Sequence, residues 1–135
     1  MALLAGPLAI DIEQRGGVCV LRCKGSLVAG RDQEYIRGRL EEIKRLSYRN
    51  VVADLREVPS IGSPGIAFIA GIYTLVVRKS GGRFIVAGAT PLVRRAIEIT
   101  GLSKMIPLAA DLQTGLETLR LEAAANAAAT STPRR

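Results

Sequence analysis

The chain of 135 residues contains no histidine and no tryptophan. Without histidine it lacks the usual general base, and the Ser-His-Asp and Cys-His arrangements of nucleophilic enzymes are excluded. With two cysteines and no imidazole, a zinc site has too few ligands. The two Phe and three Tyr leave little surface on which nucleic-acid bases could stack, and they require a core built from Leu, Ile, Val and Ala. No apolar run reaches the ~20 residues that a membrane helix needs. The apolar start, Met1 to Ile10, has no basic leader, is broken by Gly6 and Pro7, and is followed by Asp11, so it does not read as a signal peptide. A cytoplasmic protein that does not insert into a membrane is expected.

What is present describes one globular domain: 48% hydrophobic residues, 23% charged residues and a length sufficient for a core. The net charge of +7 favours acidic partners. The basic residues, Arg31, Arg37, Arg39, Lys44, Arg45, Arg78, Lys79, Arg94 and Arg95 among them, are scattered along the chain and read as a solvated surface rather than a nucleic-acid groove. Cys19 and Cys23 fall in one strand-like run. Four strand residues hold them about 13 Å apart, too far for a disulfide. Both point to the same face as Leu21, so buried thiols in a reducing compartment are expected.

The periodicities alternate between strand and helix. Leu8 to Gln14 and Val18 to Cys23 read as a hairpin turning at Gly16-Gly17. Residues 31–46 form an amphipathic helix with the apolar stripe Ile36, Leu40 and Ile43. Asn50 to Leu55 and Arg83 to Ala87 are buried strands. Between them, the helix from Pro64 to Lys79 is apolar nearly all round, so part of it must face a neighbour or partner. A helix starts at Thr90-Pro91 and stops at Gly101. Met105 to Leu108 is the last strand, and Asp111 caps a final helix through Leu121. From Ala123 to Arg135 the chain is an alanine-rich tail expected to extend the helix briefly and then fray into disorder. The order β-β-α-β-α-β-α-β-α predicts a mixed, mostly parallel α/β sheet of about five strands with an N-terminal hairpin, packed by about four helices.

The segment Asp54-Leu-Arg-Glu-Val-Pro-Ser-Ile-Gly-Ser63-Pro-Gly-Ile-Ala-Phe carries the functional signal. It leaves a buried strand, turns through Pro59, Gly62 and Pro64, and enters the apolar helix. Ser63 sits where that helix begins, a place suited either to capping by the serine or to holding a phosphate. Asp54 and Glu57 have no third polar partner for acid–base chemistry, and solvated or capping roles are expected for them. The glycine loops at Gly25 to Gly30 and Gly88 to Pro91 lack the spacing of phosphate-binding loops.

Three blocks in order, Val20 to Leu27, Val52 to Ile66 and Arg83 to Pro107, resemble the STAS family, the sulfate-transporter and anti-sigma-factor-antagonist domains. The likeness spans Leu8 to Leu121. It implies a single STAS-like domain over residues 1–122 and a regulatory binding module rather than an enzyme. No cofactor or metal is implied. In stand-alone members the loop reads Asp-Ser-Ser-Gly and its first serine is phosphorylated by an anti-sigma kinase. Aligned on Gly65, Ser63 takes that place, while Gly62 replaces the aspartate and Pro64 the second serine. The resemblance thus implies a bacterial partner-switching protein of transcription or stress regulation. Its partner would be an anti-sigma factor or switch serine kinase, bound through Ser26, Gly62, Ser63, Pro64, Ile66, Ala67, Ala70 and Tyr73. A homodimer is compatible with it, and direct nucleic-acid binding is not implied. The departures at Gly62 and Pro64 leave a second implication open: a scaffold or accessory subunit of a stress-signalling assembly or of a lipid-transport ATPase, without a phospho-switch.

Overall fold

The computed structural model describes residues 9–25 and 33–130. Five strands, β1 (Ala9–Arg15), β2 (Val18–Lys24), β3 (Asn50–Glu57), β4 (Arg83–Ala87) and β5 (Leu108–Ala109), form one sheet in the order β1-β2-β3-β4-β5. β1 runs antiparallel to β2 through a turn in which Gly16 and Gly17 both have positive φ (54° and 85°), as a two-residue hairpin of this hand requires. The remaining pairings are parallel. Four α-helices follow the expected alternation: α1 (Gln33–Leu46), α2 (Ser63–Tyr73), α3 (Pro91–Ile99) and α4 (Leu112–Thr130).

Each crossover from β2 to β5 steps one strand in the same direction, so crossovers of one hand place α1, α2 and α3 on a single face. The core reflects this. Cys19, Leu21, Val51, Ala53, Phe84 and Val86 from the strands pack with Ile36 and Ile43 of α1, Phe68, Ile69 and Ile72 of α2, and Val93 and Ile97 of α3. The opposite face is covered by α4, whose Leu116 and Leu119 meet Val18, Val20, Val52, Ile85 and Ala87. Gly115 lets α4 lie close there, since a Cβ at that position would sit 3.5 Å from both Ile85 and Val52. The edge of β1 is closed by α1. The Ile10 N–H donates to Tyr35 Oη (2.9 Å) and Arg39 Nε donates to the Ile10 carbonyl (2.8 Å), which occupies groups that could otherwise pair with another strand.

Several elements differ from expectation in boundary or winding, β3 by continuing past Leu55 to Glu57. The last strand is Leu108–Ala109, not Met105 to Leu108, because Leu102–Lys104 closes a 3₁₀ turn after Gly101 (φ 84°) and uses up the connecting residues. The helix beginning at Ser63 runs to Lys79 as expected in extent, but Thr74–Lys79 is wound as a π-helix, with the Ser80 hydroxyl donating to the Leu75 carbonyl (3.0 Å). The final helix passes Leu121 and continues to Thr130. The stretch that extends it is mostly alanine, the best helix former.

Cys19 and Cys23 are unpaired and buried on the Leu21 face. Burial pushes both thiols from the ordinary 9.0 up to about 12, and for Cys23 the carboxylates of Asp54 and Asp11 add to it. The unfolded chain ionises these thiols at lower pH than the folded one. Their contribution to stability is therefore complete below pH 9 and declines as pH rises from 9 towards 12. Denaturant midpoints measured across that range should fall, and iodoacetamide should label the thiols only after unfolding. Backbone packing makes a sharper demand at Gly82, where a Cβ would lie 1.9 Å from the Arg49 carbonyl oxygen. Gly82→Ala is expected to cost about 3 kcal/mol in chemical denaturation.

Candidate functional site

The site begins with the seating of α2. Phe68, Ile69 and Ile72 are buried against the sheet, and Val76 continues that stripe into the π-helical turn. On the side facing α1, a Cβ on Gly71 would come 2.8 Å from Leu40 Cδ2, so the missing side chain allows the two helices to approach closely. The burial of these residues holds the start of α2 at the carboxyl ends of the parallel strands.

At that start Ser63 is exposed. It is not the cap. The N-cap is Gly62, in extended backbone (φ −117°, ψ −164°), and Ser63 is the first helical residue with Pro64 second. The Ile66 N–H donates to the Gly62 carbonyl (3.0 Å) and closes the first turn. Of the two roles left open for Ser63, capping is not the one it has: the chain turns into the helix one residue earlier, and the serine side chain is exposed. Capping by side chains does occur elsewhere. Thr90 Oγ1 accepts from the Val93 N–H of α3 (3.4 Å), and Asp111 Oδ1 accepts from the Thr114 N–H of α4 (2.8 Å), which holds the Asp111 carboxyl below its ordinary range. The first turn of α2 has no acidic residue. Its positive dipole end is therefore not neutralised within the helix.

Two apolar surfaces flank Ser63. Towards α1, a groove of about 240 Å³ is lined by Ile36, Arg37, Leu40, Pro64, Ala67 and Phe68. On the other flank, Ile66, Ala70 and Tyr73 form a stripe at spacings of four and three. They are half-buried and lean on the core rather than standing clear of it, whereas Ala67 is exposed. The structure thus brings together Gly62, Ser63, Pro64, Ile66, Ala67, Ala70 and Tyr73. Ser26 lies outside the described residues. The α1 wall of the groove was not among the expected site residues. Ile36 and Leu40 read as core from their periodicity, and only the helix pairing at Gly71 shows that their outer edges border the site.

The acidic residues of the same segment divide between the two roles expected of them. Asp54 is not solvated but 7% exposed, and its Oδ1 accepts from the Arg56 N–H (3.1 Å), closing the strand end on the α4 side. Glu57 is exposed and pairs loosely with Lys24 (3.9 Å). Gly88 follows β4 with φ +69°, and a Cβ there would crowd Asp54 Oδ1 at 3.3 Å. Among the described residues no group of three or more His, Cys, Asp or Glu could hold a metal ion. Among the same residues no helix is long and apolar enough to cross a membrane.

These features coincide with a known family. The STAS domain model matches residues 9–115, and the chain belongs to that family. It is 30% identical over 102 residues to the anti-sigma F factor antagonist of Paenibacillus polymyxa, across 75% of this chain and 86% of that protein. The crystal structure of an anti-sigma factor antagonist from Mycobacterium paratuberculosis superposes with a TM-score of 0.76 at 28% identity, covering 87% of this chain and 99% of the other. The antagonist SpoIIAA in its unphosphorylated form shares the fold (TM-score 0.70, 19% identity, 83% and 96% of the two chains). So does the phosphorylated form of this Bacillus protein (TM-score 0.63, 18% identity, 82% and 98%).

Because the Ser63 hydroxyl stands outside the cap, Ser63→Ala should leave the unfolding free energy nearly unchanged, within about 0.5 kcal/mol. Thr90→Ala removes a real cap and should cost about 1 kcal/mol. Paired denaturant titrations of the two variants check the assignment.

Proposed function

We propose that this protein is an anti-sigma factor antagonist-like binding module whose docking surface centres on Ser63. Its partner is an anti-sigma factor or related switch serine kinase. One observation carries the reading: an exposed serine at the first position of a rigidly seated helix, between two apolar surfaces, with no acid in its turn. The antagonist relatives support the class of partner.

The proposed switch follows from charge. Phosphorylation of Ser63 adds about −1.5 to −2 charges at a helix N-terminus that tolerates them, so the fold is retained. The same charge placed between the groove and the Ile66–Tyr73 stripe meets an apolar partner surface and must be desolvated there. Unmodified Ser63 permits docking and phosphoserine expels the partner. The Gly62 and Pro64 departures leave the backbone suited to this role. Gly62 is extended, a conformation any residue adopts, and proline is tolerated in the first turn because its missing N–H would be unpaired anyway. The role is regulatory binding rather than catalysis.

Incubation with the switch kinase and ATP should yield one phosphopeptide, containing Ser63, by mass spectrometry. In pull-downs from the native cell, the Ser63→Asp bait should lose one partner that the wild-type bait captures. The charge is expected to cost about 2 kcal/mol or more, roughly thirtyfold in dissociation constant. Phosphate on another residue, or equal capture by both baits, contradicts the proposal. Equal capture together with a discrete large assembly in light scattering supports the scaffold role instead.

A further inference from the structure

We propose that the end of the molecule opposite Ser63 is a peripheral docking surface for an anionic lipid bilayer. The inference is independent of the Ser63 switch.

Besides the Gly16-Gly17 hairpin before β2, the parallel strands bring three connections to their amino-terminal end: residues 44–50 before β3, 77–83 before β4 and 99–107 before β5. None of the three contains Asp or Glu. Together they present Lys44, Arg45, Arg49, Arg78, Lys79 and Lys104, all exposed. Residues far apart in sequence therefore form one basic pole, although along the chain they read as scattered. Close contacts tie the connections together. The Arg83 N–H donates to the Arg49 carbonyl (2.7 Å), and Lys44 and Lys79 border one cavity of about 110 Å³ beside Tyr48.

Helix dipoles account for part of this clustering. Lys44 and Arg45 end α1, and Arg78 and Lys79 end the π-helical turn, where cations are favoured. Dipoles do not account for Arg49, which follows α1, nor for the apolar side chains standing among the cations. Three of the large hydrophobic residues exposed in the described structure belong to this pole: Leu46 (44% exposed), Ile99 (74%) and Met105 (50%). They sit on separate connections rather than forming one contiguous patch.

That mixture selects among anionic partners. A nucleic-acid backbone rewards the cations but not isolated aliphatic chains, and the pole has little aromatic surface for stacking. A protein interface gathers its apolar area into a central, desolvated core. A bilayer surface takes cations at the headgroup phosphates and separate aliphatic chains at the acyl boundary. Bound in this way, the protein holds Ser63 away from the membrane, so lipid contact and partner docking do not compete.

The test is sedimentation of the full chain with phosphatidylcholine vesicles and with vesicles also containing phosphatidylglycerol, at low and high salt. The protein should sediment only with the anionic vesicles and be released by salt. The triple variant Lys44→Glu, Arg78→Glu and Lys79→Glu should bind at least about 100-fold more weakly, since each cation near such a surface contributes about fivefold. Leu46→Ser with Met105→Ser keeps the charge and should still weaken binding several-fold. Circular dichroism and thermal melts should show both variants folded. Absence from anionic vesicles, equal binding to neutral ones, or unchanged binding by the folded triple variant overturns the proposal. Tighter binding to duplex DNA or to polyglutamate than to the anionic vesicles also overturns it, in favour of that class of partner.

Discussion

The burial of one face of α2 governs the rest of the molecule. Phe68, Ile69 and Ile72 are driven onto the sheet by the aliphatic core, and the absence of a side chain at Gly71 lets α1 approach. With the helix seated, its first residue has a fixed position and outlook. The N-cap falls on Gly62, which has no side chain with which to occupy the helix start, and Ser63 is left outward. A hydroxyl engaged in capping would be less available to a modifying enzyme. Here the interactions that fix the helix are made further along it, by Phe68, Ile69 and Ile72 rather than by the serine hydroxyl.

The same topology gives the domain two unlike ends. Crossovers that step in one direction place three helix C-termini with the basic connections at the amino-terminal ends of the strands. The start of α2, Asp54, Glu57 and Asp111 lie with the carboxyl ends. One end carries an exposed serine between two apolar surfaces, with these acids beside it. At the other, the three connections carry only basic charges, with isolated aliphatic side chains among them. A small protein with few aromatics thus has two surfaces of different chemistry separated by the length of its strands.

Much of the fold was legible in the sequence because its signals were local. The Gly16-Gly17 hairpin, the alternation from Asn50 onward, the Thr90 and Asp111 caps and the Gly101 stop depend on a few neighbouring residues, and they stand where expected. The family followed from three ordered blocks and is borne out. The position of Ser63 at the helix start was legible, but its relation to the cap was not. Serine and glycine are both acceptable N-caps, and which one turns into the helix depends on how Pro59 to Gly62 cross the sheet end. The α1 wall of the groove and the basic pole were hidden for a different reason. Both are made by residues distant in sequence whose neighbourhood exists only after the crossovers are placed. The boundary of the last strand failed on a short 3₁₀ turn, which has no apolar periodicity by which to recognise it.

The central claim is that a negative charge on Ser63 alters a surface and leaves the helix beneath it intact. Native-state hydrogen exchange on the unmodified protein and on Ser63-phosphorylated protein measures this directly. The account predicts equal protection of the amides from Phe68 to Val77 in both forms, with the change confined to the loop and first turn. Loss of protection along α2 on phosphorylation would contradict it, because the charge would then be acting by unfolding the helix.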